Sequence, residues 1–213
     1  MSRHENSKRL MGRVLTTALL LATFAALGAD APAPPITLPM APVPTAVGTK
    51  MPARLRVAND EGAIAPLGSY FPQGKWVLLL FLGAQDPVTH GYAKRIHELA
   101  ETYSKKGVWI AGLSVNQQEK LAELKSLAEE SEWPFPVYRD LEQNAARALK
   151  VNETPIAVLI DPGNVVRYSG AIDDSWSDER LVNDPTLKRA LDAALSGATI
   201  PEAPDVVPGS AIH

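Results

Sequence analysis

The 213-residue chain contains no cysteine. That absence excludes disulfides, thiolate metal sites and every reaction that passes through a thiol of this chain. It also removes the usual indicator of redox compartment, so localisation has to be read from targeting signals. Clustered cations are missing too: the formal net charge is −3 and no basic stripe interrupts it. A nucleic-acid partner is therefore not expected, because phosphate recognition needs a basic surface. No P-loop, dinucleotide-binding glycine fingerprint or Ser-His-Asp spacing is present, and no cofactor is expected.

What the chain does contain is enough apolar residue for a core, with 46% hydrophobic against 21% charged. Its length predicts one domain of ordinary size plus appendages. The first appendage is N-terminal. Arg3, Lys8, Arg9 and Arg13 precede the apolar run "VLTTALLLATFAALGA" at 14–29, and small residues then lead into "DAPAPP". That order is the pattern of a secretory signal peptide. The run is short beside the roughly 20 residues of a membrane span, and its threonines weaken it. Residues 1–29 are assigned as the signal, with cleavage near Gly28 or Ala29; an uncleaved N-terminal anchor is the alternative. The mature chain is expected to be periplasmic or secreted, with no membrane span after cleavage. Losing four cations and one anion takes its formal charge to about −6.

Residues 30–52, "DAPAPPITLPMAPVPTAVGTKMP", carry proline at a density that favours extended polyproline segments, and are assigned as a semi-rigid linker. The folded domain is expected over 53–197, with an irregular tail at 198–213. It opens with two short strands around a turn at Asp60-Glu61-Gly62. "KWVLLLFLG" (75–83) has the continuous apolarity of a strand covered on both faces. A helix follows from Pro87 to Lys106, with Tyr92, Ile96, Leu99 and Tyr103 at helical spacing and Gly107 after its end. The spacing then predicts a strand at 108–115, an amphipathic helix at 116–132, a short strand at 134–140 and a short helix at 141–151. A hairpin with its turn at Asp161-Pro162-Gly163-Asn164 comes next, then a helix at 183–197 capped by Asn183 or Asp184 with Pro185 in its first turn. Strand–helix–strand crossovers build parallel pairs and the hairpin adds antiparallel ones. The expected result is α/β: a three-layer α/β/α sandwich with a central mixed sheet.

This order, over about residues 54–197, resembles the thioredoxin-like superfamily. Within it, the chain is similar to the redoxin group, which includes the alkyl hydroperoxide reductase/thiol-specific antioxidant proteins and the TlpA-like thioredoxins. "LLLFLGAQDPVT" matches the strand-to-helix junction that in the family carries a Cys-Pro or Cys-x-x-Cys. "ETPIAVLIDPGNVVRYSGAIDD" matches the threonine-proline, strand, turn, strand run, and "FPVYRDLEQNAARALKV" the segment before it. The helix at 116–132 is the extra helix that separates redoxins from minimal thioredoxins. The resemblance places Asp86 at the family's first cysteine and Thr89 at its second. Pro155, after Thr154, falls at the proline that usually follows a cis bond. "PGSAIH" resembles an ending that in some redoxins reads Gly-Cys, with Ser210 in the cysteine's place.

By resemblance the chain is an oxidoreductase or peroxidase. Chemistry argues against it: neither a carboxylate nor a threonine can pass through the sulfenic acid or mixed disulfide those reactions need. The favoured expectation is a pseudoenzyme that binds an exported polypeptide or envelope protein through the old active-site groove, formed by Asp86, Pro87, Thr89, His90, Thr154 and Pro155. A thiol-type enzyme and a structural component of an envelope complex are the alternatives. Asp86-Pro87 makes a good helix start, since Asp caps helices and Pro suits their first position. Asp86 and His90, four apart, are weak candidates for a metal, and none is expected. His90 and His97 are read as solvated, Asp173-Asp174 as a solvated turn or helix cap, and Trp76, Trp109, Trp133 and Trp176 as core and edge packing.

Overall fold

In the computed structural model the described residues are 46–204 and 209–213, so the expected signal peptide and linker residues 30–45 lie outside them. The continuous apolar runs become the middle of one sheet. β1 (Arg56–Ala58) and β2 (Ile64–Pro66) form the opening hairpin, and β3 (Val77–Leu82) is buried along its whole length. α1 (Pro87–Lys105) leads to β4 (Trp109–Ser114), α2 (Leu121–Glu130) to β5 (Val137–Asp140), and α3 (Asn144–Ala148) to β6 (Glu153–Thr154). β7 (Ile156–Ile160) and β8 (Val166–Gly170) make the second hairpin, followed by α4 (Thr186–Ser196) and β9 (Ser210–Ala211).

Seven strands lie in the order β2-β1-β5-β4-β3-β7-β8. β3–β4 and β4–β5 are parallel, as crossover helices require, and β3–β7 and β7–β8 are antiparallel. The period-two alternation of β3 divides its side chains between two cores. Leu78, Leu80 and Leu82 meet α1, α2 and α4, while Val77, Leu79 and Phe81 meet α3 and the segment before β3. Each of these fully buried side chains contributes about 2 kcal/mol by burial. The architecture is the expected three-layer sandwich with a mixed central sheet. Among the described residues no helix is long and apolar enough to cross a membrane.

Several details differ from expectation. Ordered structure begins before residue 53: Ala46 and Met51 are buried, and residues 48–51 bond along residues 164–166. α2 starts at Leu121 instead of 116, because Asn116 and Glu119 are turned inward. Its first turn is closed by Glu123, whose carboxylate accepts from the Lys120 N–H at 2.7 Å. The cap of α4 is Pro185, not Asn183 or Asp184. The Ile172 carbonyl accepts from the Leu187 N–H, and the Asp184 carboxylate pairs instead with Arg189 at 2.6 Å. Asp173 is not solvated either. It is buried against Arg95 at 2.5 Å and accepts from the Tyr92 hydroxyl at 3.0 Å. Finally, the tail is not irregular throughout, since β9 pairs antiparallel with β6 as a second, two-stranded sheet.

Candidate functional site

The junction of β3 and α1 positions the site. β3 ends at Leu82, a tight turn follows, and Asp86 stands as N-cap of α1 with Pro87 in the first turn. Free N–H groups at a helix start attract an anion, and Asp86 supplies one. Its Oδ1 accepts from the Val88 N–H at 2.9 Å and its Oδ2 from the Thr89 N–H at 3.3 Å. Two hydroxyls then donate to Oδ2: Thr89 at 2.9 Å and Thr154 at 3.1 Å. The fifth donor is the Ser210 hydroxyl, 2.7 Å from Oδ1. Asp86 is 5% exposed, and Thr89 and Thr154 are fully buried. The Thr154–Pro155 bond is cis.

Asp86, Thr89, Thr154 and Pro155 therefore meet at one place, with Pro87 exposed beside them. His90 lies a turn along α1 and its backbone N–H donates to the Asp86 carbonyl at 3.1 Å, but its ring Nε2 is 2.8 Å from the Ala84 carbonyl oxygen and no bond joins the ring to the Asp86 carboxylate. With Asp86 occupied by five donors, the two do not converge on a common point. His97 likewise bonds a backbone carbonyl, that of Glu132, at 2.7 Å.

Three further residues build the site; no motif or spacing pointed to Glu119 or Asn116, and Ser210 was marked only by the resemblance, as a substituted cysteine position. Glu119, buried, accepts from the N–H groups of Ala84 at 2.7 Å and Gln85 at 3.2 Å, holding the turn ahead of Asp86. Asn116 donates to Glu119 at 2.9 Å, and its Oδ1 accepts from the His213 N–H at 3.0 Å. The third is Ser210. Its strand lies along β6 in the register Thr154↔Ser210 and Glu153↔Ala211, and the Ile212 N–H continues the pairing onto the Asn152 carbonyl at 3.0 Å. The resemblance singled out Ser210, yet nothing local gives the tail a strand pattern.

Chemically the arrangement can accept hydrogen bonds and take up extended backbone. A buried carboxylate in place of a thiol offers no sulfur to oxidise and no leaving group for exchange.

A mixed sheet covered on both faces, with a helix starting beside a cis-proline loop, defines a thioredoxin-like protein. The AhpC/TSA family profile matches residues 47–169, more than half of the sequence, and the chain belongs to that family. No curated protein matches it. Among solved structures it is similar to a hypothetical protein from Sinorhizobium meliloti, at 22% identity and a TM-score of 0.68 over 78% of this chain and 93% of that one. It is also similar to an uncharacterized conserved protein from Geobacillus kaustophilus, at 25% identity and 0.64 over 75% and 86%. An uncharacterized thioredoxin-like protein from Porphyromonas gingivalis follows at 19% identity and 0.54 over 68% and 92%.

Proposed function

We propose that this chain is an exported, cysteine-free redoxin that binds polypeptide instead of transferring electrons. The basic region, apolar run and small residues at 1–29 support export, and the proline-rich stretch after them supports a spacer between the exported domain and whatever its N-terminus meets. The groove around Asp86, Pro87, Thr89, His90, Thr154 and Pro155 is the binding surface. One observation carries this reading: an extended segment is already seated there, paired with β6 and bonded to Asp86. Strand addition of this kind draws affinity from main-chain hydrogen bonds and specificity from alternate side chains.

A paired assay on the purified protein tests the reading. Peroxide and insulin-disulfide reduction with a thiol donor should give no rate above a buffer blank. Polypeptides from an envelope extract should be retained by the wild type and lost by Asp86→Asn, which keeps the shape and one capping oxygen but removes the charge. Turnover that survives removal of trace metals, or retention indifferent to the Asn substitution, would overturn it.

A further inference from the structure

We propose that the groove selects an extended segment of the form Gly-(Ser or Thr)-x-apolar on a partner polypeptide, and that residues 209–212 are a resident occupant which such a segment displaces. This rests on the polypeptide-binding reading above and names the partner's chemistry.

The hydroxyl requirement comes from Asp86. Four of its five donors belong to the scaffold, and three of those point at Oδ2. Oδ1 is left with the Val88 N–H and whatever the occupant brings, which here is the Ser210 hydroxyl at 2.7 Å. A buried carboxylate oxygen short of a donor is costly, so an apolar residue at this position is disfavoured, and an acidic one is repelled outright. Serine and threonine supply the donor at the right length.

The glycine requirement comes from the preceding position. A Cβ on Gly209 would stand 3.0 Å from the Thr154 carbonyl oxygen and 3.2 Å from the Glu153 Cβ. That oxygen belongs to the strand the occupant must pair with, so it cannot retreat without loosening the ladder. Strand alternation sets the rest. Ala211 is exposed and carries no demand. Ile212, on the same side as Ser210, packs against the core cluster that contains Ile156 and Val151.

The occupant is held weakly enough to exchange. Its ladder with β6 is two residue pairs long and only Ile212 adds apolar burial, so what holds it is a short run of hydrogen bonds: Ser210 to Asp86, the Ile212 N–H to the Asn152 carbonyl, the His213 N–H to Asn116, and the Gln117 N–H and Gln143 side chain to the His213 carbonyl. Isolated two-stranded ladders are marginal in water, and such elements open locally well below the global unfolding free energy.

The experiment uses the full chain and its Ser210→Glu variant, which sets a carboxylate against Asp86 and should evict the tail. A fluorescein-labelled peptide Gly-Ser-Ala-Ile-His is titrated into both. It should bind the variant at least about tenfold more tightly than the wild type, since the resident strand no longer competes. With its serine replaced by alanine it should lose about tenfold, with aspartate it should not bind, and with glycine replaced by valine it should weaken to a similar degree. Hydrogen exchange at the Ile212 N–H, protected in the wild type, should rise in Ser210→Glu while β3 stays protected, which separates eviction from unfolding.

Equal affinity of the serine and alanine peptides for the variant would overturn the selection rule. Unchanged exchange at Ile212 would overturn displacement. A wild-type dimer dissolved by Ser210→Glu would show that a second copy's tail is the occupant, overturning the foreign-segment form. Failure of the peptide series with envelope polypeptides still retained through Asp86 would sink this inference alone. Failure of both would sink the binding reading itself.

Discussion

Asp86 sits where the fold concentrates positive potential, at the free N–H groups of α1, and that potential favours a carboxylate for the same reason it favours a thiolate. The difference lies in acceptors. A carboxylate offers two oxygens, and here they collect two backbone and three hydroxyl donors. Asp86→Ala removes a helix cap, worth about 1 kcal/mol, and orphans the buried Thr89 and Thr154 hydroxyls at about 1–3 kcal/mol each where they find no other acceptor. The expected loss in urea unfolding is at least about 3 kcal/mol with an unchanged m-value. A loss near 0.5 kcal/mol would mean that water replaces the carboxylate and the network adds little. Asp86 was legible in the sequence as an N-cap before proline, whereas Thr89, Thr154 and Pro155 were placed by the resemblance. Glu119 and Asn116 were not, and neither was the contact of Ser210 (itself singled out by the resemblance) with Asp86, because each acts on chain far from itself. Glu119 reaches back 34 and 35 residues to the Gln85 and Ala84 N–H groups, and Ser210 reaches 124 to Asp86. No local periodicity encodes a contact of that span.

Among the elements, α1 carries a test in which local propensity and tertiary packing oppose each other. Gly91 is in its first two turns, where alanine would favour the helix by about 1 kcal/mol. The loop after β8 prevents that gain. A Cβ at residue 91 would stand 2.7 Å from the Trp176 ring and 2.8 Å from its carbonyl oxygen. That carbonyl is held in place by Arg95, which donates to it at 2.7 Å and to the Ser175 carbonyl at 2.7 Å while pairing with buried Asp173. Overpacking against fixed backbone costs about 1–3 kcal/mol, so packing wins and Gly91→Ala should be net destabilising by about 1 kcal/mol in the denaturant midpoint. A stabilised Gly91→Ala would show that the loop swings away at little cost. The same contest explains which elements the sequence foretold. β3, β4 and β7 have only one way to bury a continuous apolar run, and they fall where the pattern put them. α2 and α4 start later than their periodicity suggested because buried side chains and a neighbouring carbonyl claim the residues ahead of them. Asp173-Asp174 looks like any polar turn until Arg95, on another element, closes over the first of the pair.

For the whole molecule, the two-faced sheet buries phenols, and this fixes an alkaline limit to stability. Burial pushes Tyr168 up to about 12, its hydroxyl donating to the Ala171 carbonyl at 2.5 Å. Burial, reinforced by the Asp173 carboxylate, raises Tyr92, and burial with Asp192 raises Tyr103. In the unfolded chain each phenol ionises near its ordinary value of about 10. Between that pH and the folded value the unfolded state holds fewer protons, so stability falls as pH rises. The stabilisation is complete below about pH 10 and drains away above it, at about 1.4 kcal/mol per pH unit for Tyr168 alone. A domain of ordinary stability, some 5–15 kcal/mol, should then unfold cooperatively before its buried tyrosines titrate in the native state. The measurement is ultraviolet difference absorbance followed alongside far-ultraviolet circular dichroism on the same alkaline titration. Tyrosinate from the buried residues should appear only with the loss of ellipticity. Phenols that all ionise near pH 10 in a chain still fully folded would mean that water reaches them, and that the core between the sheet and α1, α2 and α4 is looser than its burial implies. The resident strand adds a control, since Ser210→Glu opens the groove on one edge without touching these tyrosines. It should leave this alkaline transition where it is, and a shift would show that tail and core unfold as one unit.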